Sequence, residues 1–509
     1  MNDRQKSDCC TVAMKAMNKP EGRGAELPER RRQAEGNTPE PCTRRTQSRI
    51  SVSQGLERVR ERATARKQER FTALLHHIDA ERLRAAYLVL KRDAAVGVDG
   101  MGWQQYGEHL EGNLAELHER LHRGAYRALP SRRQYIPKPD GRRRPLGIAA
   151  LEDKIVQRAV VAVLNAIYEA DFLGFSYGFR PKRSQHDALD ALAFGIARKR
   201  VNYVVDADLT SFFDSMSHEW LMRFLKHRIA DERILRLIGK WLKAGVMEGG
   251  ELTVSDLGTP QGAVVSPLLA NVYLHYALDL WAEQWRRRHC RGAMILVRYA
   301  DDVVVGFEHE AEAQRFMDDV RERLAKFALS LHPDKTRLIE FGRDAAARRA
   351  RRGLGKPETF NFLGFTHICS TSRTGRFQLK RYTRRDKLQL RLRDLKERLR
   401  QSRHAPVHEQ GLWLGQVMRG YFAYHAVPNN SRRLHAFRYH VLDLWRRSLQ
   451  RRGQKDHTTW HTMTRLAAEF LPLPRVVHPW PEQRFLVTHP RWEPSASVAP
   501  ARICAGGAQ

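Results

Sequence analysis

Three aspartates are notable for where they sit. Asp208 ends the run Val204-Val205-Asp206-Ala207-Asp208, and Asp301 and Asp302 lie side by side between the apolar runs 295–297 and 303–307. Carboxylates flanked by Val and Leu are costly to ionise unless something positive compensates them. A divalent cation does so. Mg2+ prefers oxygen ligands and takes one or two carboxylates, and Mn2+ is the natural substitute. Two such ions, about 4 Å apart, stabilise both the attacking and the leaving oxygen of a phosphoryl transfer. In nucleotide addition those oxygens belong to a primer 3′-hydroxyl and to pyrophosphate. This chemistry requires that carboxylates from separate strands converge on one point. The competing reading is that Asp-Asp is common in solvated turns; the apolar flanks and the preceding Tyr299 weigh against it.

The elements that would position these acids can be read from periodicity. Residues 201–208 form a short apolar strand, and the runs 295–297 and 303–307 form a β-hairpin with the acids at its bend. Ser266-Pro267 is a helix start, a capping hydroxyl followed by Pro at the first helical position. Leu269, Val272, Tyr273, Tyr276 and Leu280 then share one face. Further helices are expected over 152–168, after Ser184 and from His218. Upstream, a helical pattern over 83–129 is interrupted by the turn Val96-Gly97-Val98-Asp99-Gly100. Tyr135-Ile136-Pro137-Lys138 reads as a strand entering a Pro139-Asp140-Gly141 turn. Beyond about Lys380 the composition shifts to basic helices over 384–403, 412–424 and 432–452. Leu388, Leu392, Leu395 and Leu399 form a core stripe opposite an Arg-rich face. Together these predict an α+β fold with helices packed on an antiparallel sheet. Residues 1–70 contain no Phe, Tyr or Trp and are expected to be disordered apart from a helix near 55–70, with the folded body starting at Phe71. Residues 472–509 show little periodicity and are expected to wrap the surface.

Charge narrows the partners. In 509 residues, 89 Lys+Arg stand against 57 Asp+Glu, a formal net charge of +32. Self-repulsion of that size is relieved by a polyanion, and nucleic acid fits. No run approaches the roughly 18 apolar residues of a spanning helix, and no signal peptide is visible, so no membrane partner is expected. The six cysteines are scattered without a C-x-x-C pair, which gives neither a disulfide framework nor a zinc site support and points to a reducing cytosol.

Several blocks then carry a family resemblance. Tyr299-Ala300-Asp301-Asp302 resembles the Tyr-x-Asp-Asp box of reverse transcriptases. Asp208 with Phe212-Phe213-Asp214 resembles the first catalytic motif of the same palm, and Gly258-Thr259-Pro260-Gln261-Gly262, running into Ser266-Pro267, resembles the next block. One such box is weak evidence; three in the family's order are specific. Gly97-Val98-Asp99-Gly100, Arg144-Pro145-Leu146-Gly147-Ile148, Ser176-Tyr177-Gly178-Phe179-Arg180-Pro181, Pro333-Asp334-Lys335-Thr336, Phe362-Leu363-Gly364-Phe365 and Arg419-Gly420-Tyr421-Phe422-Ala423-Tyr424 are similar to blocks of group II intron-encoded proteins. The resemblance spans roughly 80–455.

It implies a right-hand polymerase: a polar head (1–70), an N-terminal extension and fingers (71–200), a palm (201–375), a helical thumb or maturase domain (376–455) and a tail (456–509). The tail lacks paired cysteines, so the His-Asn-His nuclease of many family members is expected to be missing. The implied activity is copying RNA into DNA, with binding of intron RNA to assist splicing and mobility, in a bacterial cytosol near the nucleoid. The implied partners are intron and template RNA, a DNA primer or target, and dNTPs. The implied metal ligands are Asp208, Asp301 and Asp302, with backbone carbonyls near Leu209 completing coordination; Asp206 and Asp214 are structural. Phe213 packs against the deoxyribose, Gln261 and Gly262 lie under the nascent base pair, Lys138 and Arg144 contact the triphosphate, and Lys335 sits near the leaving pyrophosphate. Phe213 also reads as an ordinary core residue, and Tyr421, Phe422, Tyr424 and Trp445 as thumb core. A splicing-only maturase with an idle polymerase, or a reverse transcriptase turned to antiviral defence, are the rival readings.

Overall fold

A computed structural model describes residues 43–137, 143–259, 262–453 and 458–488, with side chains 43–53 and 486–488 left out. Helices α1 (Thr43–Ala65), α2 (Ala80–Val89), α3 (Trp103–Gly107) and α4 (Leu110–His122) come first. Strands β1 (Ser131–Pro137) and β2 (Arg143–Ile148) form an antiparallel pair, followed by α5 (Leu151–Asp171) and α6 (Gln185–Arg198). Ile155, Val156, Val160, Val163, Leu164 and Ile167 are all wholly buried, so α5 is apolar around most of its circumference and serves as a spine for α1 and α2. The start of α6 matches expectation: the Ser184 hydroxyl accepts from Asp187 N–H while the Asp187 carboxylate accepts from Ser184 N–H.

The head differs from expectation. Val59 and Ala63 of α1 lie in the main core, so the folded body begins before Phe71. Aromatic residues are not needed there, because small aliphatic side chains are enough to seat a helix on α5. Arg228 closes the far end of α1 by donating to the carbonyls of Arg66 (2.9 Å) and Ala63 (3.2 Å).

The middle of the chain runs through β3 (Tyr203–Asp208), α7 (Phe212–Ser215), α8 (His218–Lys226), α9 (Glu232–Lys243), β4 (Val246–Glu248), β5 (Glu251–Thr253) and α10 (Ser266–Leu274). A π-helical turn, His275–Asp279, joins α10 to α11 (Leu280–His289). Then come the hairpin β6 (Met294–Tyr299) and β7 (Asp302–Phe307), α12 (Glu310–Ala325), β8 (Arg337–Glu340) and α13 (Ala345–Arg351). The central sheet has the order β6-β7-β3-β8, antiparallel throughout, and a smaller sheet has the order β2-β1-β4-β5. Both faces of the central sheet are covered. Val205, Ala207, Leu296, Val303 and Val305 join the core formed with α5, α10 and α12. On the other face, Val204, Val297, Val304 and Ile339 pack against Leu189, Leu192 and Ile196 of α6. Burial from both sides explains why these strands read as continuous apolar runs instead of alternating ones. The start of α10 also departs from expectation. Val265 holds the cap position and Ser266 lies inside the first turn; the acceptor that ties down this entry is Gln157 Oε1 of α5, 2.9 Å from Val264 N and 3.4 Å from Val265 N.

Strands β9 (Phe360–Phe362), β10 (Phe365–Thr371) and β11 (Phe377–Thr383) form a third sheet, and α14 (Arg385–Gln401), α15 (Val407–His425), α16 (Ser431–Leu449) and α17 (Trp460–Phe470) a helical unit. Its separate core holds Leu388, Leu395, Leu414, Met418, Phe437 and Trp445, with Tyr421 and Phe422 inside it as the core reading expected. Two boundaries move. Thr371 pairs with Phe377, so a division at 375/376 would cut a hairpin, and the helical unit starts at Arg385. Met463 and Phe470 of α17 belong to the same core, which therefore runs past 455. Helix α18 (Pro481–Thr488) then lies along α6. There the buried Asp190 carboxylate binds both Arg381 of β11 (2.8 Å) and Arg484 of α18 (3.1 Å).

Asp190→Ala would leave two cations facing each other where the protein excludes most water. Thermal unfolding should show a loss of about 3–5 kcal/mol; an unchanged midpoint would mean that this junction does not hold β11 and α18 to α6.

Candidate active site

Antiparallel register assembles the acids. Asp208 of β3 faces Asp302 of β7, and Tyr299 of β6 faces Asp302 on its other side. Strand alternation then puts Asp206, Asp208, Asp302 and Tyr299 on one face of the sheet. Between Tyr299 and Asp302 lies a two-residue turn, Ala300-Asp301, with Ala300 at φ 57°. The turn is backed by Gly178, where any Cβ would collide with the Ala300 backbone. Beyond β3 the chain continues the pairing: Leu209 bridges to Leu331, and His332 N–H donates to the Asp208 carbonyl (2.7 Å). That pairing carries Lys335 to the site, where its Nζ lies 2.5 Å from Asp208 Oδ2. The Leu209 side chain points into the core, so only its backbone can face the acids.

The electrostatics are those of crowded like charges. Burial, then the neighbouring Asp208, raise the Asp301 carboxyl, opposed by Arg144 and Lys335. The Asp302 side chain is itself exposed, but the protein mass around the strand end and the charges of Asp301, Asp208 and Asp206 push it up to about 7. Burial and Asp208 raise Asp206 to about 6, against the pull of Arg337, 3.9 Å away. Among the described residues, no three His, Cys, Asp or Glu side chains form a ready-made metal cage. Mg2+ does not require one, since it keeps waters and shares substrate phosphates around one or two carboxylates. The local charge fits a divalent cation: the acids are raised by burial and then by their like-charged neighbours, and an ammonium group sits on Asp208.

The nucleotide-facing residues gather nearby. After Ser211, at φ 44°, the short α7 buries Phe212 and leaves Phe213 half-exposed. Thr259 N–H donates to the Phe213 carbonyl (2.8 Å), docking the loop that continues to Gly262. Gly262, at φ 115°, approaches β2 so closely that a Cβ would lie 2.8 Å from the Gly147 carbonyl oxygen. Arg144, three residues earlier on β2, is exposed and near enough to act on Asp301. Lys138 and Gln261 lie outside the described residues. The structure thus brings Asp208, Asp301, Asp302, Lys335 and Arg144 together, with Thr259 bonded to Phe213 and Gly262 set against β2. Sequence reading gave no role to Arg298, a wholly buried charge on β6, or to Gln157, which holds the entry to α10. The available signal for Arg298 was a lone charge inside an apolar strand.

Comparisons with known proteins agree with this geometry. A family model described as "Reverse transcriptase (RNA-dependent DNA polymerase)" matches residues 136–367, the stretch from β1 to β10 that contains every described site residue. Protein YkfC of Escherichia coli (strain K12) is 36% identical over 298 residues, covering 50% of this chain and 77% of that protein. The group II intron-encoded protein LtrA of Lactococcus lactis subsp. cremoris is 36% identical over 240 residues, 46% of this chain and 39% of LtrA. The chain belongs to the group II intron reverse transcriptase and maturase family. A protein described as "Uncharacterized 91 kDa protein in cob intron" of Schizosaccharomyces pombe is 42% identical over 146 residues, covering 29% of this chain and 18% of that protein. The match therefore spans well under half of LtrA and of the yeast intron protein. In family terms, the central sheet is the palm, β1 and β2 belong to the fingers, and the helical unit is the thumb.

The crowding has a measurable cost. A carboxyl held near 7 instead of its unfolded value of about 4 destabilises the fold progressively as pH rises between those limits, and fully above them. Without divalent ions, Asp302→Asn should match the parent at about pH 4 and exceed it at about pH 8 by on the order of 1 kcal/mol, after discounting for solvent screening. Thermal melts at the two pH values would show this; a variant less stable than the parent at the higher pH would mean that the acids are already compensated.

Proposed function

We propose that this chain is an active RNA-directed DNA polymerase that also binds its intron RNA to assist splicing and mobility. The observation that carries the reading is the register that sets Asp208 opposite Asp302, with Asp301 at the adjoining bend. Two divalent cations, Mg2+ or Mn2+, held by Asp208 and Asp301 would supply charge neutralisation at the primer 3′-oxygen and at the leaving pyrophosphate. Asp302 would be the third acid beside that pair, and the Leu209 backbone carbonyl would complete the coordination. Lys335 would exchange its contact with Asp208 for the pyrophosphate once metal is bound. Arg144, together with Lys138, would orient the triphosphate by charge. Phe213 is the accessible member of its aromatic pair, so it would meet the sugar and exclude a 2′-hydroxyl, while Gln261 and Gly262 would lie beneath the new base pair.

The RNA-binding part of the proposal rests on the thumb. Arg385, Lys387, Arg391, Arg393 and Lys396 of α14 are exposed, as are Arg432 and Arg447 of α16, while Leu388, Leu395, Leu434 and Leu442 between them are buried. Such a surface contacts phosphates along a strand. A splicing-only protein would need this surface but not the acids, and would keep their repulsion as an uncompensated cost. The acids therefore favour the polymerase over that alternative.

Asp301→Ala should reduce cDNA synthesis on an RNA template by on the order of 1000-fold, the scale of losing a group that stabilises transition-state charge, while intron RNA binding in a filter assay stays near the parent's. Equal loss of both would contradict the separation of site and surface, and an inactive parent with Mg2+ would favour the splicing-only reading. RNA affinity should fall by roughly 1000-fold between about 50 and 200 mM salt through counterion release; a flat titration would remove the basic thumb face from the account.

A further inference from the structure

Arg298 has no part in the chemistry described so far, yet it is a charged side chain with 0% exposure, one position before Tyr299. Alternation along β6 points it away from Tyr299 and Asp302, to the face covered by α10. All five of its N–H bonds find acceptors there. Nε donates to Asp279 Oδ1 (2.7 Å), and one terminal nitrogen donates to Asp279 Oδ2 (2.6 Å) and Ser176 Oγ (2.7 Å). The other terminal nitrogen donates to Asn271 Oδ1 and to the backbone carbonyl of Ala300, both at 3.0 Å. That carbonyl belongs to the peptide bond linking Ala300 to Asp301. A fixed buried charge therefore holds the bend from beneath, one bond from the candidate metal ligand.

The surrounding segments are shaped to the same end. Eight residues of unbroken α-helix turn through about 800°, which would leave Asp279 roughly 80° away from Asn271. The π-turn at His275–Asp279 adds one residue to the winding and leaves about 700°, within roughly 20° of two full turns, so both side chains reach Arg298. Asn271 also donates to the Gly178 carbonyl (2.7 Å), the glycine that backs the bend. Tyr177 N–H donates to the Arg298 carbonyl and Arg298 N–H to the Phe175 carbonyl, each at 2.9 Å. Stability alone does not call for this arrangement, because a buried ion pair is often matched or exceeded by apolar side chains of similar volume.

We propose that the Arg298–Asp279 pair is a positioning device for metal binding: by fixing the Ala300 carbonyl, it aims the Asp301 carboxylate at the cation. The proposal rests on the reading of Asp301 as a metal ligand. The test uses Mn2+ titrated into the full chain and followed by electron paramagnetic resonance, with thermal unfolding recorded alongside. The double variant Arg298→Met/Asp279→Leu replaces the pair with an apolar one. It should fold, with a midpoint within about 5 °C of the parent, yet bind Mn2+ about 10–100-fold more weakly, the range for losing a group that orients a metal ligand. Asn271→Ala keeps the ion pair and should give a smaller loss in the same direction. If the double variant does not fold, Asn271→Ala decides: parental Mn2+ affinity there overturns the proposal. Mn2+ binding lost in Asp301→Asn but kept at parental strength in a folded double variant overturns the positioning role alone. Mn2+ binding that Asp301→Asn leaves unchanged overturns the metal-ligand reading, and the proposal with it.

Discussion

Asp208 and Asp302 face each other across an antiparallel pair, and Asp301 occupies the bend beside them. Burial raises the Asp301 and Asp302 carboxyls, and the neighbouring carboxylates raise them further. Nothing in folding rewards this arrangement; it is tolerated because the sheet beneath it is buried on both faces and cannot shift register without turning whole strands inside out. The apolar cores above and below the palm sheet thus supply the rigidity that holds three acids at one end of it.

The compensating charge is layered. Lys335 touches Asp208 directly, Arg144 acts on Asp301 from the fingers, and Arg337 faces Asp206. None of these cations is buried, and the proposed polymerase would have each exchange partners when a nucleotide triphosphate and its metal ions arrive. Arg298 is the opposite case, enclosed and saturated with acceptors. Exposed cations on the cleft side and a fixed one beneath suit the proposed polymerase, which would rebind charge in every cycle without losing its shape. The basic faces of α14 and α16 extend the positive field along the helical unit.

What was legible in the sequence followed from local rules. The β3 strand, the β6–β7 hairpin with acids at its bend and the helix after Ser184 all depend on neighbours within a few residues. So did the apolar stripe of α14, and the motif order sufficed for the family. Features that depend on distant partners were not legible. The entry to α10 is tied down by Gln157 from more than a hundred residues away, so a cap at Ser266 was a reasonable but incorrect expectation. Helix α1 carries no aromatic residue and is recruited by the face of α5. The thumb core reaches past residue 455 because α17 folds back on α15 and α16. Arg298 was given no role because its acceptors, Ser176, Asn271, Asp279 and Ala300, come together only in three dimensions.

The most direct test of the central claim is anomalous diffraction from crystals of the full chain with Mn2+, an RNA–DNA primer duplex and an unreactive dNTP analogue. The account expects two Mn2+ peaks about 4 Å apart, between Asp208 and Asp301, with Lys335 moved from Asp208 toward the phosphates. An occupied duplex with no Mn2+ at these carboxylates, and Lys335 still on Asp208, would contradict it.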